Sequence, residues 1–271
     1  MIFYFTGTGN TRFIASRLAD ATGDRLVSIA QAVVNGEYAY NLDADERLGF
    51  CFPIHGWRPP FIVRDFIGRL NLQGYQGQYC YAFATCGDDV GLTFDYLRDD
   101  LKAIGVMLDS VFSVIMPETY NFPFIDQIDT TESAQRKIAA AVSRLDGLIP
   151  EIVDCRRGVR DFNKSRWPRT NSKLLGSFFI KHWVTDDKFT VDADACLRCG
   201  KCSEVCPVGN VSCGSDGVPQ WLHNGLCTTC FACYHHCPAH AIDFARRTRG
   251  KRQYFFHSAL LQASQQEKTD D

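Results

Sequence analysis

Short apolar runs alternate with helix-length segments through the first half of the chain. Continuous apolar runs cover residues 2–6, 26–29, 48–53, 79–85 and 111–116. Runs of this length are typical of strands that are covered on both faces. Helix-length segments lie between and after them, at residues 12–21, 60–70, 93–104 and 132–153. The pattern predicts one doubly wound α/β unit with a five-stranded parallel sheet over residues 1–155.

The turn after the first strand contains the polar residues most suited to binding a ligand in this half. It reads Thr6, Gly7, Thr8, Gly9, Asn10 and Thr11, directly before the first helix. Two glycines let the backbone approach a ligand closely, and a helix N-terminus attracts anions. No Gly-Lys-Ser/Thr follows and the third glycine of a dinucleotide fingerprint is missing. The turn therefore suits a single phosphate monoester, with a plain strand-to-helix connection as the alternative.

These six residues resemble the phosphate loop of the flavodoxin family, which has the pattern Thr/Ser-x-Thr-Gly-Asn-Thr directly after the first strand. The resemblance implies a flavodoxin-like fold and bound FMN, with the flavin ring between the loops after the third and fourth strands. The further cofactor contacts expected there are Pro53, Gly56, Trp57, Thr85, Cys86 and Gly87.

The loop after the fourth strand departs from the flavodoxin pattern. It has no aromatic residue, whereas flavodoxins often have a tyrosine there. Either Tyr120 or Phe122 covers the second face of the ring, or that face is open to a partner domain or a substrate. For Trp57, the alternative to stacking on the ring is packing at the surface against Pro59 and Pro60.

The second half contains a repeated cysteine run. The pattern Cys-x2-Cys-x2-Cys-x3-Cys-Pro starts at Cys196 and returns 31 residues later at Cys227. With this spacing three thiolates surround one [4Fe-4S] cluster, and the fourth belongs to the other cluster. A zinc site requires neither the third close cysteine nor the proline. The spacing predicts two ligand sets: Cys196, Cys199, Cys202 with Cys237, and Cys227, Cys230, Cys233 with Cys206.

The cysteine runs resemble the bacterial two-cluster [4Fe-4S] ferredoxins, in which terminal strands pair. Residues 189–191 and 241–244 look like those strands. Together with the first half, the chain resembles the flavodoxin–ferredoxin fusion proteins of anaerobic bacteria, called EFR-type ferredoxins. The resemblance implies an FMN-binding unit at residues 1–155 and a small α+β ferredoxin-type unit at residues 186–257. It does not cover the two other segments that we expect, a basic connector at residues 156–185 and a polar tail at residues 258–271.

Charge is divided unevenly between the two halves. Residues 1–155 carry 12 Lys and Arg against 20 Asp and Glu, whereas residues 156–271 carry 17 against 11. Opposite signs favour docking of the halves, and a basic surplus also suits two anionic clusters. Nucleic acid is the competing partner, but no recognised nucleic-acid motif accompanies the charge, so we expect none.

Thirteen cysteines in 271 residues bear on the compartment. No apolar run reaches the roughly 18 residues of a membrane span, and the apolar first five residues lack the basic flank of a signal peptide. We expect a cytoplasmic protein in which most thiols serve metal or redox chemistry rather than disulfides. Cys51 and Cys80 are expected in the core, whereas Cys86 and Cys213 are candidate reactive thiols.

A flavin exchanges electrons singly or in pairs, whereas an iron–sulfur cluster exchanges them singly. The sequence therefore favours an electron carrier between FMN and two [4Fe-4S] clusters, with redox proteins as partners. One alternative is an oxidoreductase that acts on a quinone or NAD(P)H, and another is a redox-sensing module. The sequence has no pair of acid and base side chains at a spacing that would support the oxidoreductase alternative.

Overall fold

The computed structural model describes residues 1–122, 125–126 and 128–257. The predicted polar tail at residues 258–271 lies outside the described residues, as does the side chain of Phe122.

A parallel sheet forms the centre of the first unit. The sheet has six strands, which lie side by side in the order β10-β7-β6-β4-β1-β2, and every neighbouring pair is parallel. When β10 is left out and the other five strands are numbered 1 to 5 in chain order, their order across the sheet from the β2 edge is 2-1-3-4-5. This order is compatible with a flavodoxin-like fold. The strands of this unit are β1 (Ile2–Tyr4), β2 (Leu26–Ser28), β3 (Ala39–Asn41), β4 (Leu48–Pro53), β5 (Asn71–Gln73), β6 (Cys80–Cys86), β7 (Ser110–Ile115), β8 (Asn121–Phe122), β9 (Ile125–Asp126) and β10 (Arg160–Asp161).

The sheet has six strands rather than the predicted five. The additional edge strand β10 lies in the segment predicted as a basic connector and pairs with β7. Its two residues are polar, so the strand has no apolar run from which it could be predicted. Side chains hold it instead: Arg144 forms an ion pair with Asp161 at 2.6 Å, and Asn163 N–H donates to the Ser113 hydroxyl at 2.7 Å.

Five helices cover the two faces of the sheet. The four predicted segments are confirmed as α1, α3, α4 and α5, and α2 was not predicted. α2 has only seven residues and begins after Ser28, whose hydroxyl accepts from the Gln31 N–H. This side-chain cap stabilises a helix too short to show a clear period. The helices are α1 (Asn10–Thr22), α2 (Ile29–Asn35), α3 (Phe61–Arg69), α4 (Thr93–Ala103) and α5 (Thr131–Val153).

Two hydrophobic cores lie on the two faces. Adjacent residues of a strand point to opposite sides, so Cys51 packs with α1 and α5, whereas Phe50 and Phe52 pack with α2, α3 and α4. The core on the α1 and α5 side continues into the second half of the chain, where it includes Phe231 and Phe244. The two units therefore share one apolar core.

The connector folds onto the carboxyl edge of the sheet. It forms a π-helical turn, Thr170–Leu175, followed by α6 (Gly176–Trp183). The Arg58 guanidinium donates to the Ser172 carbonyl at 2.7 Å, and the Ser172 hydroxyl donates to the Trp57 carbonyl at 3.2 Å. These bonds fix the connector against the loop that follows β4. No helix in the described part of the chain is long and apolar enough to cross a membrane.

The second unit consists of two small two-stranded antiparallel sheets and two one-turn helices. The strand pairing predicted for its ends is confirmed, because β11 and β14 are antiparallel, with Phe189 opposite Phe244. Antiparallel β12 and β13 form the other sheet. The two helices start 31 residues apart, which is the spacing of the cysteine repeat. The elements are β11 (Phe189–Val191), α7 (Lys201–Glu204), β12 (Val211–Cys213), β13 (Pro219–Trp221), α8 (Ala232–His235) and β14 (Ile242–Phe244).

The last described residues form a strap that crosses back to the start of α1. Phe256 N–H donates to the Thr8 carbonyl at 2.8 Å, and the Phe256 ring stacks on Phe13 with centroids 4.5 Å apart. The Tyr254 hydroxyl donates to the Asn10 side-chain carbonyl at 2.7 Å. The strap thus ties the second unit to the first turn of the sheet.

The variant Phe256→Ala tests the strap. We expect it to lower the free energy of unfolding by about 1–3 kcal/mol, because it removes a half-buried ring and the stacking of that ring on Phe13. Denaturant unfolding of the full chain measures this. Phe178→Ala is the matched control: that ring is 57 % exposed, so its loss is expected to cost under about 0.5 kcal/mol. Equal effects of the two variants would contradict the role of the strap.

Candidate metal centre

The two cysteine runs adopt the same backbone conformation. Left-handed residues occur at the same three places in each run, 31 positions apart. Four of the six are not glycine, and such residues adopt this conformation only where the surroundings impose it. One loop geometry is therefore built twice around the cysteines. The pairs are Arg198 and Thr229 (φ 56° and 51°), Gly200 and Phe231 (φ 72° and 60°), and Gly209 and His240 (φ 60° and 50°).

The first predicted ligand set borders one cavity of about 350 Å³ of empty space. All four thiols line it, although Cys237 comes from the second run. Apolar neighbours such as Leu197 and Ile242 complete the wall. Cys199 is exposed to solvent. The structure thus brings together Cys196, Cys199, Cys202 and Cys237 at the surface of the second unit.

The second predicted set is buried more deeply. Burial raises the pKa of the Cys227 thiol to about 12 and that of Cys230 to about 11. The Cys206 thiol adds to the increase at both and at Cys233, which places Cys206 beside the three close cysteines. Bare thiolates are unfavourable here, so a cationic centre has to replace the protons when these sulfurs act as ligands.

Backbone amides point at several of the sulfurs. Asn210 N–H donates to Cys206 Sγ at 3.2 Å, and Ala241 N–H donates to Cys237 Sγ at 3.3 Å. These two bonds are equivalent under the 31-residue repeat. A third amide, that of Arg198, lies 3.4 Å from Cys196 Sγ. Such donors stabilise negative charge on a ligating thiolate.

The donors around the sulfurs fit an iron–sulfur cluster. Four thiols line the first cavity, and thiolates are the ligands that these clusters require. Beside Cys230, the Thr228 hydroxyl is buried and has no hydrogen-bond acceptor of normal geometry within the described residues. A sulfur of a bound cluster is an acceptor for such a hydroxyl. The cavity and the spare donor therefore suit sulfur-ligated metal at both sets.

Comparison with known families agrees with this chemistry. Residues 188–238 match the family model of the 4Fe-4S dicluster domain. The second unit carries a 4Fe-4S dicluster domain. All eight cysteines of the two runs lie inside the match, which supports at least one [4Fe-4S] cluster and an iron–sulfur role in electron transfer. The first unit lies outside the match, and no curated protein matches the chain.

The predicted phosphate loop lies where the dicluster domain meets the sheet. Gly9 N–H donates to the Thr6 hydroxyl at 3.1 Å, and the Thr11 hydroxyl is 2.7 Å from that of Thr85. Asn10 donates to the Pro117 carbonyl at 3.0 Å. The side chains of Asn10 and Thr11, at the end of the loop, therefore form hydrogen bonds with other residues of the first unit. Its start, Thr6 to Gly9, borders an open cavity of about 1080 Å³ with Arg12, Phe13, His236 and Phe256.

Gly7 in this loop lies close against the dicluster domain. A Cβ at this position would lie 2.5 Å from the Cys230 Cβ and 3.1 Å from its Sγ. Only a residue without a side chain leaves room for the Cys230 loop. The glycine expected to approach a phosphate therefore approaches a predicted cluster ligand.

The two loops expected to hold the flavin ring meet at one edge, as predicted. Register pairs Pro53 with Thr85 at the ends of β4 and β6. A Cβ at Gly56 would lie 2.8 Å from the Phe179 ring, and one at Gly87 would overlap the Glu118 carboxylate. The Trp57 side chain packs against Gly91.

Protein side chains fill the space between these loops. Tyr120 contacts Phe179 with ring centroids 5.0 Å apart, and His55 lies 6.2 Å from Tyr120. The Cys86 thiol is buried, which raises its pKa to about 12. The residues as placed do not fit an isoalloxazine ring. FMN at this edge stays a prediction from the sequence, and the function proposed for the chain does not use it.

His235 was not assigned any role from the sequence, and the structure gives it one. Its Nε2 lies 2.8 Å from the Thr119 carbonyl of the first unit, and its Nδ1 accepts from Tyr254 N–H at 3.1 Å. These partners require a neutral ring with the proton on Nε2. Burial lowers the pKa of His235 to about 4, in agreement with that state. No local sequence pattern indicates such a contact between units.

The variant Gly7→Ala tests the close contact with Cys230. We expect it to destabilise the iron-loaded chain by about 1–3 kcal/mol, because the added methyl group overpacks the junction. Anaerobic denaturant unfolding measures the change, and the rate of iron loss to a chelator is expected to rise. Gly68→Ala is the control, since nothing lies within 4 Å of a Cβ on that helical glycine. A Gly7→Ala protein as stable as this control would show that the junction is not tightly packed.

Proposed function

We propose that the chain is an electron-transfer protein with two [4Fe-4S] clusters in its dicluster domain. The first cluster is held by Cys196, Cys199, Cys202 and Cys237, and the second by Cys227, Cys230, Cys233 and Cys206. The observation that carries this is the repeat of one loop conformation around both runs, with Cys237 on the first cavity and Cys206 beside the second set. The join to an α/β unit agrees with the resemblance to flavodoxin–ferredoxin fusion proteins.

Each bound cluster supplies one-electron oxidation and reduction. The chain's own groups do the rest. Thiolates hold the metal, and the amides of Asn210 and Ala241 donate to ligand sulfurs, which favours the more negative, reduced state. The apolar core around Phe231 and Phe244 excludes water from the second set.

The two sets differ in their access to solvent, which supports different roles. Cys199 of the first set is exposed, and the adjoining Leu197 is 66 % exposed. The second set is covered by the first unit through Gly7. A redox partner therefore exchanges electrons at the first set, while the second lies further along the path. Leu197 with Arg198 offers such a partner a mixed apolar and basic contact.

Metal analysis tests the function and the ligand sets. We expect an anaerobically purified chain to hold about eight iron atoms and about eight sulfides, since each cluster contributes about four. Cys230→Ala and Cys206→Ala are expected to lose the same cluster, seen as the same missing EPR signal, and Cys237→Ala the other one. Cys155→Ala, a cysteine outside the runs, is the control. A metal-poor, colourless wild-type chain after reconstitution would refute the proposal.

Flavin content is measured in the same samples by acid release and fluorescence. We expect flavin well below one per chain, because Phe179 and Glu118 occupy the space beside Gly56 and Gly87. Stoichiometric FMN would instead show that these side chains move and that the sequence prediction is right. The variant Phe179→Ala enlarges the space between the two loops. Phe178→Ala is again the control, because it leaves that space unchanged.

A further inference from the structure

Tyr120 belongs to the α/β unit but faces the dicluster domain. Its ring packs edge-on against Phe231, the residue after Cys230, with centroids 5.1 Å apart. On its other side it contacts Phe179 at 5.0 Å. Aromatic neighbours on both sides fix the direction of the ring. The ring therefore lies beside the residue that directly follows Cys230 of the second ligand set.

The Tyr120 hydroxyl is buried and has no hydrogen-bond partner among the described residues. A buried hydroxyl without a partner costs about 1–3 kcal/mol, so a native structure seldom leaves one unexplained. Burial raises the pKa of this hydroxyl, and the nearby thiols of Cys230 and Cys227 add to the increase. A tyrosine hydroxyl carries its proton at neutral pH in any case, so it is a donor.

The backbone that carries Tyr120 is anchored from both units. The Glu118 carboxylate accepts from the Thr119 and Tyr120 N–H groups, each at 3.1 Å. The Thr119 carbonyl accepts from His235 of the dicluster domain. Glu118 N–H in turn donates to Asp129 at 2.8 Å. These bonds hold the hydroxyl in place before a cluster is bound, so little ordering is needed when an acceptor arrives.

We propose that the Tyr120 hydroxyl donates a hydrogen bond to the sulfur shell of the second cluster and raises its reduction potential. The inference rests on the proposed function, since it requires that cluster. Reduction adds one electron to the cluster, and a donor stabilises the added negative charge without giving up its proton. The α/β unit would thereby tune a cofactor bound by the other domain. At the position equivalent to Phe231, the first run has Gly200, so no ring contact of this kind can form there.

The variant Tyr120→Phe removes only the donor and keeps the ring. We expect the potential of the second cluster to fall by an amount equal to about a tenfold shift in its reduction equilibrium, about 59 mV for one electron. The first cluster in the same molecule should not change. Anaerobic redox titration of the full iron-loaded chain, followed by EPR, measures both. Tyr81→Phe is the matched control: its hydroxyl is also buried without a partner among the described residues, but it lies inside the sheet.

The outcomes separate this inference from the proposed function. A wild-type chain that binds no iron overturns both. Full iron in Tyr120→Phe with both potentials unchanged overturns only the role of Tyr120. Half the iron in Tyr120→Phe would assign the residue to assembly of the site and would also overturn tuning. A fall confined to the second cluster, absent in Tyr81→Phe, is the supporting result.

Discussion

The rest of the structure depends on one constraint, the burial of the second set of thiols beside the first unit. Cys233 is buried, and Cys206, Cys227 and Cys230 are partly buried. Each thiolate in such a place loses several kcal/mol of solvation, so the set is stable only as protonated thiols or as ligands of a cationic centre. Because the Cys230 loop lies against Gly7, whatever stabilises the loop also stabilises the junction between the units. Binding of metal and docking of the two units are therefore coupled.

The carboxyl edge of the sheet is used in an unusual way. In open α/β sheets this edge receives a ligand, since the loops diverge where the strand order reverses. Here Phe179 from the connector and Tyr120 from the loop after β7 fill the crevice. The strap residues Tyr254 and Phe256 cover the turn before α1. The edge that binds small molecules in other sheets thus receives a protein domain, which gives the turn a structural reason for its glycines.

Five strands were predictable from continuous apolar runs; four of them, β1, β4, β6 and β7, are largely buried, whereas β2 at the edge is partly exposed. The same reasoning missed β10, since its two polar residues are held by Ser113 and Arg144 rather than by burial. The sequence also predicts the two ligand sets, because the distance along the chain decides which thiolates reach one cluster, and these sets stay a prediction. Contacts such as Gly7 with Cys230 join residues 223 positions apart, and no local pattern encodes them. The local pattern therefore predicts Gly7 only as a phosphate contact.

In the proposed arrangement, two clusters with identical ligands and nearly identical loops would have unequal surroundings. Transfer of the second set from water into the apolar core disfavours the more negative reduced state, which lowers its potential relative to the first. Hydrogen-bond donors act in the opposite direction, and donors to charged groups contribute about 1.5–3 kcal/mol each. Several such donors are needed to offset a desolvation cost of several kcal/mol. The order of the two potentials, and hence the direction in which an electron moves inside the chain, depends on the number of donors around the buried sulfurs and not on the ligands themselves.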